Sequence, residues 1–379
     1  MTNIIYAEKL IDREGNQITR ERLKEGFKDA IEINKKLILD NKRIAYFFID
    51  PLLNNFEAAN SFYFSILGCN SLDKINTYKS GASPVQSLFD ARELIENDLY
   101  DAVFIFGYDP LLTNKQVYGK DLIKQAMDIF NGRSILECYN LISHKMCEVL
   151  KISKELFFQL TDGLYRNYLK TYTKTIGQEV SYDRGRLLDD LNGDLFRITD
   201  CANPNIDFAG GVILVNDKTA KILNIRNKRI KVAGVKYSMV AGMPENIDQI
   251  VGSKENIFPH LRSSFLVAQH EAKINVIEEF RNKNLLLDLY TCYPPIPLAF
   301  LLTTQMVESV WELPLFLSNY EITITGGMNF ARAPWNNPAL NGLIEMCKMM
   351  SNEAVNYGLV HGNGGIGEIQ GVAILERGM

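Results

Sequence analysis

The residues of this chain that can do chemistry gather in four short loops. They are Ser80-Gly81-Ala82-Ser83-Pro84, Asp288-Leu289-Tyr290-Thr291-Cys292-Tyr293-Pro294, Gly326-Gly327 through Pro334, and His361-Gly362-Asn363-Gly364-Gly365. The first opens a helical pattern, so its backbone N–H groups and positive dipole end favour an anion or an oxyanion, with Gly81 and Ser83 as binding candidates. The second ends the apolar run LLLDLY and carries Tyr290 and Cys292. The third offers Gly326 and Gly327, and the fourth offers His361, Asn363, Gly364 and Gly365. Any one glycine turn is commonly structural; the set of four carries the weight.

Base and nucleophile candidates are few. His144 falls within a helical stretch and reads as half-buried, while His260 and His270 flank a polar segment and read as surface positions. Only His361 sits in a glycine-rich loop after a strand, where a general base is useful. Cys292 is the one cysteine of six placed in a candidate loop. No GxSxG, HExxH or P-loop pattern occurs, so hydrolase, zinc-protease and NTPase readings have no support.

The elements that must position these loops alternate in the manner of an α/β protein. Continuous apolar runs at Ile44–Ile49, Ala102–Phe106, Gly211–Val215, Ile322–Thr325 and Val372–Leu375 predict strands covered on both faces. Helical spacing runs from Val85 to Glu96, from Ala339 to Met350, and from Asn140 to Thr171 with a break near Lys151–Lys154. Residues 75–107 read strand, turn, helix, buried strand, and 322–375 repeat that order in the other half of the chain. The repeat points to a duplicated α/β fold.

Composition narrows the class. The 379 residues carry 41 basic and 45 acidic side chains, a net charge of −4, with 46% hydrophobic residues. That balance and the scattered cations argue against nucleic-acid or anionic-membrane partners. Cys69, Cys138, Cys147, Cys201, Cys292 and Cys347 lie far apart without CxxC spacing, which fits neither a disulfide framework nor a metal site, and fits a reducing cytoplasm. The N-terminus has charges before any apolar core and does not read as a secretory signal. The uncharged stretch from Leu289 to Val307 contains Pro294, Pro295 and Pro297 and reads as a buried helix, not a membrane span.

Taken in order, the loops resemble those of the thiolase superfamily, most of all the type-1 thiolase-like proteins related to the sterol-carrier-protein thiolases. SGASPVQSL with its helix and DAVFIFG is similar to the thiolase nucleophile loop, helix and strand. DFAGGVIL resembles the strand that closes the first half, and DLYTCYP lies where thiolases carry their Asn-Glu-Ala-Phe loop. Gly326–Pro334 matches the Gly-His-Pro loop, and HGNGG with VAILER the C-terminal loop and strand. The resemblance runs from about Arg43 to the C-terminus. It implies a thiolase-like fold of two duplicated α/β halves in a five-layered αβαβα arrangement. The N-terminal half would span 1–218, with a loop domain inserted at about 110–198, and the C-terminal half 219–379.

The resemblance further implies a coenzyme A thioester as ligand, no metal, and a homodimer or a thiolase-fold partner. Lys170, Lys174, Arg184 and Arg186 of the inserted region are its candidates for the CoA phosphates, against a solvated basic face. The departures are chemical. The family's nucleophilic cysteine falls on Gly81, or on Tyr78 if the loop slips by three residues; its asparagine falls on Tyr290 and its histidine on Ala333. The second cysteine has only His361 and Asn363 nearby. Glycine forms no acyl-enzyme and alanine takes no proton, so ordinary thiolysis or Claisen condensation is not expected. Two readings follow. One is an acyltransferase or lyase acting on acyl-CoA, with His361 as base, Cys292 or Tyr290 as secondary participant and the start of the helix at Gly81–Ser83 as oxyanion element. The other is a catalytically inactive subunit that binds acyl-CoA or pairs with an active partner.

Overall fold

The computed structural model describes residues 1–51, 66–68, 74–119, 132–182, 191, 193–224, 229–352 and 354–378. Nine strands form one mixed sheet. They are β1 (Thr2–Asp12), β2 (Ile44–Ile49), β3 (Lys74–Tyr78), β4 (Ala102–Pro110), β5 (Asp207–Asn216), β6 (Ile230–Met239), β7 (Leu285–Asp288), β8 (Tyr357–Gly364) and β9 (Ile369–Arg377). Their spatial order is β3-β2-β4-β5-β1-β6-β9-β8-β7. Read outward from the centre, β1-β5-β4-β2 and β6-β9-β8-β7 follow the same succession, so the two halves of the sheet repeat one topology. They meet through a short contact, Asn3 opposite Lys231 and Ile4 opposite Ile230.

Strand periodicity separates the layers. Along β2, Ala45, Phe47 and Ile49 enter one core, while Ile44, Tyr46 and Phe48 enter another. The inner core sandwiches two helices, α1 (Ser83–Glu96) and α2 (Pro338–Asn352), between the halves of the sheet. Val85, Leu88 and Ala91 of α1 and Leu340, Leu343 and Ile344 of α2 meet Val103 and Ile105 on one side and Ala373 and Leu375 on the other. Outside the N-terminal half, Leu23 and Phe27 pack on Phe104 and Phe106. Outside the C-terminal half, α3 (Pro259–Ala272) and α4 (Pro295–Thr303) cover Val372 and Ile374. The result is five layers, α-β-α-β-α, as the resemblance implies.

Two long helices between β4 and β5 complete the picture. They are α5 (Ile135–Leu150), started by a Ser134–Glu137 capping box, and α6 (Lys154–Ile176), capped by Ser153 and ended by Gly177 in the left-handed region. Lys151 at φ 55° makes the break between them. Although α5 and α6 follow β4 in sequence, Tyr139, Ile142 and Leu164 join the outer core of the C-terminal half with Phe258 and Phe300. The inserted region thus carries N-terminal residues onto the C-terminal face. The Pro-rich stretch after Cys292 becomes α4, buried almost all round. No helix among the described residues is long and apolar enough to cross a membrane.

Two sequence expectations are corrected here. Ile322–Thr325 is not a strand. The carboxylate of Asp288, at the end of β7, takes the N–H of Ile324 at 3.1 Å and the hydroxyls of Thr323 and Thr325 at 2.7 and 3.0 Å, so this segment bonds to a side chain instead of a ladder. The fold also begins well before Arg43, because Thr2–Asp12 is an interior strand. Its charges hide the pattern, and α2 answers them: Lys9 pairs with Glu345 at 2.9 Å and Glu8 with Lys348 at 2.8 Å.

Candidate functional site

The C-terminal ends of the parallel strands, the usual position for sites in α/β sheets, open onto a cleft of about 480 Å³. The turn before α1 brings Gly81 to it, the loop after β7 brings Tyr290 and Cys292, and the end of β8 brings Asn363 and Gly365. Tyr139 arrives from α5 and Glu368 from the turn between β8 and β9, while the exposed Lys79 and the half-buried Trp335 stand at the same cleft.

Gly81 is fixed by its surroundings. A Cβ there would fall 2.3 Å from the Tyr290 hydroxyl and 2.3 Å from the backbone oxygen of Asn363. Real carbon atoms do not approach so closely, so Tyr290 occupies the space a side chain at position 81 would need. The Tyr290 hydroxyl donates a long hydrogen bond, 3.5 Å, to the carbonyl of Trp335. Burial holds its pKa well above the ordinary tyrosine value.

The floor of the cleft rests on a neutral network. Gln370 donates through Nε2 to Asn363 Oδ1 at 2.5 Å and to the carbonyl of Gly367 at 3.0 Å. Its Oε1 is therefore the acceptor for His361 Nε2 at 2.6 Å. That places the histidine proton on Nε2 and leaves Nδ1 to accept the N–H of Tyr290 at 3.4 Å. Burial lowers the pKa of His361 to about 4, keeping the ring neutral. With its oxygen engaged, Asn363 must direct Nδ2 at the cleft, where it meets Tyr139 Oη at 2.9 Å and Cys292 Sγ at 3.6 Å. The Tyr139 hydroxyl in turn donates to the Gly365 carbonyl at 3.0 Å.

The structure therefore sorts the sequence candidates. Tyr290, Cys292, Asn363, Gly365 and Gly81 meet in the cleft. His361 belongs to β8, not to a loop, and lies one layer behind the cleft wall with both ring nitrogens engaged. Burial pushes the Cys292 thiol up to about 12 despite its contacts with Tyr139 and Asn363, far from the thiolate a nucleophile needs. Ser83 is buried, and its hydroxyl accepts the N–H of Ser80 at 2.6 Å inside the turn. Gly364 packs on the Ser80 side chain. Gly326 and Gly327, at φ 92° and 79°, press against Tyr172 and Tyr168 of α6, where any Cβ would come within 2.7 Å, so they seat the inserted helix and do not line the cleft.

Other assignments change too. His260 is buried, not at the surface: its Nε2 meets the Gly367 carbonyl at 2.8 Å behind the turn that carries Glu368. Lys170 and Lys174 lie on an exposed face, Lys174 opposite Glu321, and Arg184 and Arg186 lie outside the described residues. Cys69 lies outside them as well, and the other five cysteines are buried free thiols. Gly362, Gly364 and Gly367 have the spacing of a dinucleotide fingerprint, but they join two antiparallel strands with no helix to receive a pyrophosphate. Sequence reasoning missed Tyr139, Gln370 and Glu368. Only Glu368 left a signal, a lone carboxylate just past the GNGGIG run.

No family model matches the chain, and no curated protein is similar to it in sequence. Solved structures are similar in fold. A monomeric SCP2-thiolase-like protein type 1 from Mycobacterium smegmatis superimposes with a TM-score of 0.73 at 15% identity, over 100% of this chain and 77% of that one. An Ltp2-ChsH2(DUF35) aldolase gives 0.69 at 12% identity, over 99% and 97%. Human mitochondrial 3-ketoacyl-CoA thiolase in complex with CoA gives 0.68 at 13% identity, over 100% and 98%. The chain has the thiolase-like fold, and β1 is part of it.

Proposed function

We propose that the cleft binds the thioester of an acyl-CoA and acts on it without forming an acyl-cysteine. The observation that carries this reading is the packing of Gly81 against the Tyr290 hydroxyl, which removes the nucleophile's space while keeping the backbone turn at the start of α1. Asn363 Nδ2 and the Tyr290 hydroxyl, whose bond to Trp335 is long, supply donors for a polarised carbonyl, and such donors keep their value when the nucleophile is gone. Lys79 offers a cation for the CoA phosphates. Likeness to a thiolase in complex with CoA supports the ligand class. Acyl transfer with His361 as the base has less support, since its free lone pair points to the Tyr290 amide.

The test joins thermal denaturation with intact-protein mass spectrometry, using CoA, acetyl-CoA, butyryl-CoA and octanoyl-CoA. Ligand at a hundred times its dissociation constant stabilises the folded state by about 2.7 kcal/mol, so binding raises the melting temperature. The expected result is a rise with at least one thioester and an unchanged protein mass. No rise with any of them overturns the ligand class; a stable acyl adduct overturns the non-covalent reading.

A second reading, in which a partner chain completes the site, is favoured by the likeness to the Ltp2-ChsH2(DUF35) aldolase, whose name joins two components. Affinity purification of the full chain from its native cell extract, with and without acyl-CoA, tests it. Full turnover by the isolated chain would exclude it.

A further inference from the structure

We propose that Glu368 is the base that removes the α-proton of an enolisable acyl thioester bound in this cleft, an inference that rests on the thioester-binding reading. The carboxylate stands in a place made for it. Oε2 accepts the N–H of Ile366 at 2.7 Å, which fixes the group on the turn between β8 and β9. A Cβ on Gly365 would fall 1.8 Å from Oε1, and one on Gly242 would fall 2.9 Å from it. Two glycines from separate segments thus leave the room that the carboxylate fills. Gly365, at φ 62°, also belongs to the cleft lining and passes its carbonyl to Tyr139.

Among the described residues only backbone N–H groups hold Glu368; no cation neutralises it. A half-buried carboxylate without an ion-pair partner, lining a cleft, is poorly explained as a stabilising device and well explained as a proton acceptor. Burial also raises its pKa, which strengthens it as a base. The complementary group is Asn363, whose amide orientation Gln370 locks so that Nδ2 faces the cleft.

The step balances without a co-reactant. A Glu368 carboxylate oxygen forms a bond to the α-hydrogen; the C–H electron pair becomes the Cα–C1 double bond; the carbonyl π pair moves to the thioester oxygen. Asn363 Nδ2–H holds that oxyanion. In heavy water the carboxylic acid exchanges its proton with solvent, and transfer of a deuteron from it back to the α-carbon restores the thioester with deuterium in place of hydrogen.

The experiment incubates the full chain with acetyl-CoA, butyryl-CoA or octanoyl-CoA in D2O and follows deuterium in the acyl group by mass spectrometry. Melting temperature with and without the same thioester is read alongside. Exchange above the protein-free rate is expected for at least one thioester that raises the melting temperature. Glu368→Gln keeps an oxygen for the Ile366 N–H and should bind as the parent does, with exchange reduced about 100-fold or more. Binding without exchange by the parent chain overturns the proposal whether or not the variant folds, as does parental exchange by a folded Glu368→Gln. No thermal shift with any thioester overturns the thioester-binding reading and this inference with it, an outcome distinct from binding without exchange.

Discussion

At the end of β7, Asp288 gathers two threonine hydroxyls and the N–H of Ile324 onto one buried carboxylate. At the end of the adjacent β8, His361, Gln370 and Asn363 form a network with no charged member. The N-terminal half repeats the first device: at the end of β4, Asp109 accepts the N–H of Asn336 and the amide of Asn337, each at 2.8 Å. The carboxylates hold loops that cross from elsewhere in the chain, and charge-assisted bonds suit that role. The neutral network instead sets the direction of a donor facing the cleft. A charge there would reorient Asn363 or bind a counter-ion in place of a ligand.

Substitutions break this contrast in order of size. Asp288→Ala leaves several buried donors without an acceptor and should cost about 4 kcal/mol in urea denaturation, whereas Asp288→Asn, which keeps an oxygen, should cost about 1 kcal/mol. Equal losses would mean that Asp288 acts through charge and not as an acceptor. Gln370→Leu orphans His361 Nε2–H and Asn363 Oδ1 and should cost about 3 kcal/mol. Because Asn363 is then free to turn, it should also weaken any acyl-CoA thermal shift. Retention of the full shift would show that the amide direction is set by something else.

A pH series sharpens the comparison further. Between its folded value of about 4 and the ordinary 6.5, His361 binds fewer protons folded than unfolded. Its contribution is therefore fully present above pH 6.5 and is lost as the pH falls toward 4. From pH 7 to pH 5 the parent should lose about 2 kcal/mol more than His361→Gln, measured by urea midpoints at each pH. Asp288 has the opposite sign, since burial raises its pKa and protonation relieves the cost of its charge. The smallest effect belongs to the exposed Lys174–Glu321 pair at 3.4 Å, where Lys174→Ala should change stability by less than about 0.5 kcal/mol.

Legibility followed the distance over which each signal acts. The helices 83–96 and 338–352, the break near Lys151 and the strands β2, β4, β5 and β9 announce themselves through local periodicity. The strand β1 does not, because its charges are matched by α2, more than 300 residues away in sequence. The loops that build the cleft were legible as loops after strands, and Tyr290, Cys292 and Asn363 were found in them. His361 reads as a loop residue because the glycines beside it look like a turn, whereas the pairing of His361 with Val372, Gly362 with Gly371 and Gly364 with Ile369 extends β8 through the same residues.

What the sequence determined by itself was the duplicated α/β grammar, the absence of a cysteine at position 81 and the order of the four loops. Apolar period and turn residues are local properties, and they survive without any knowledge of neighbours. Only the tertiary structure decided that Tyr290 fills the space above Gly81, that Gln370 aims Asn363, and that Tyr139 and Glu368 share the cleft. Those facts join segments up to about 280 residues apart, such as Gly81 and Asn363. Side-chain direction, protonation and burial are set by packing between such segments, which one-dimensional spacing does not encode.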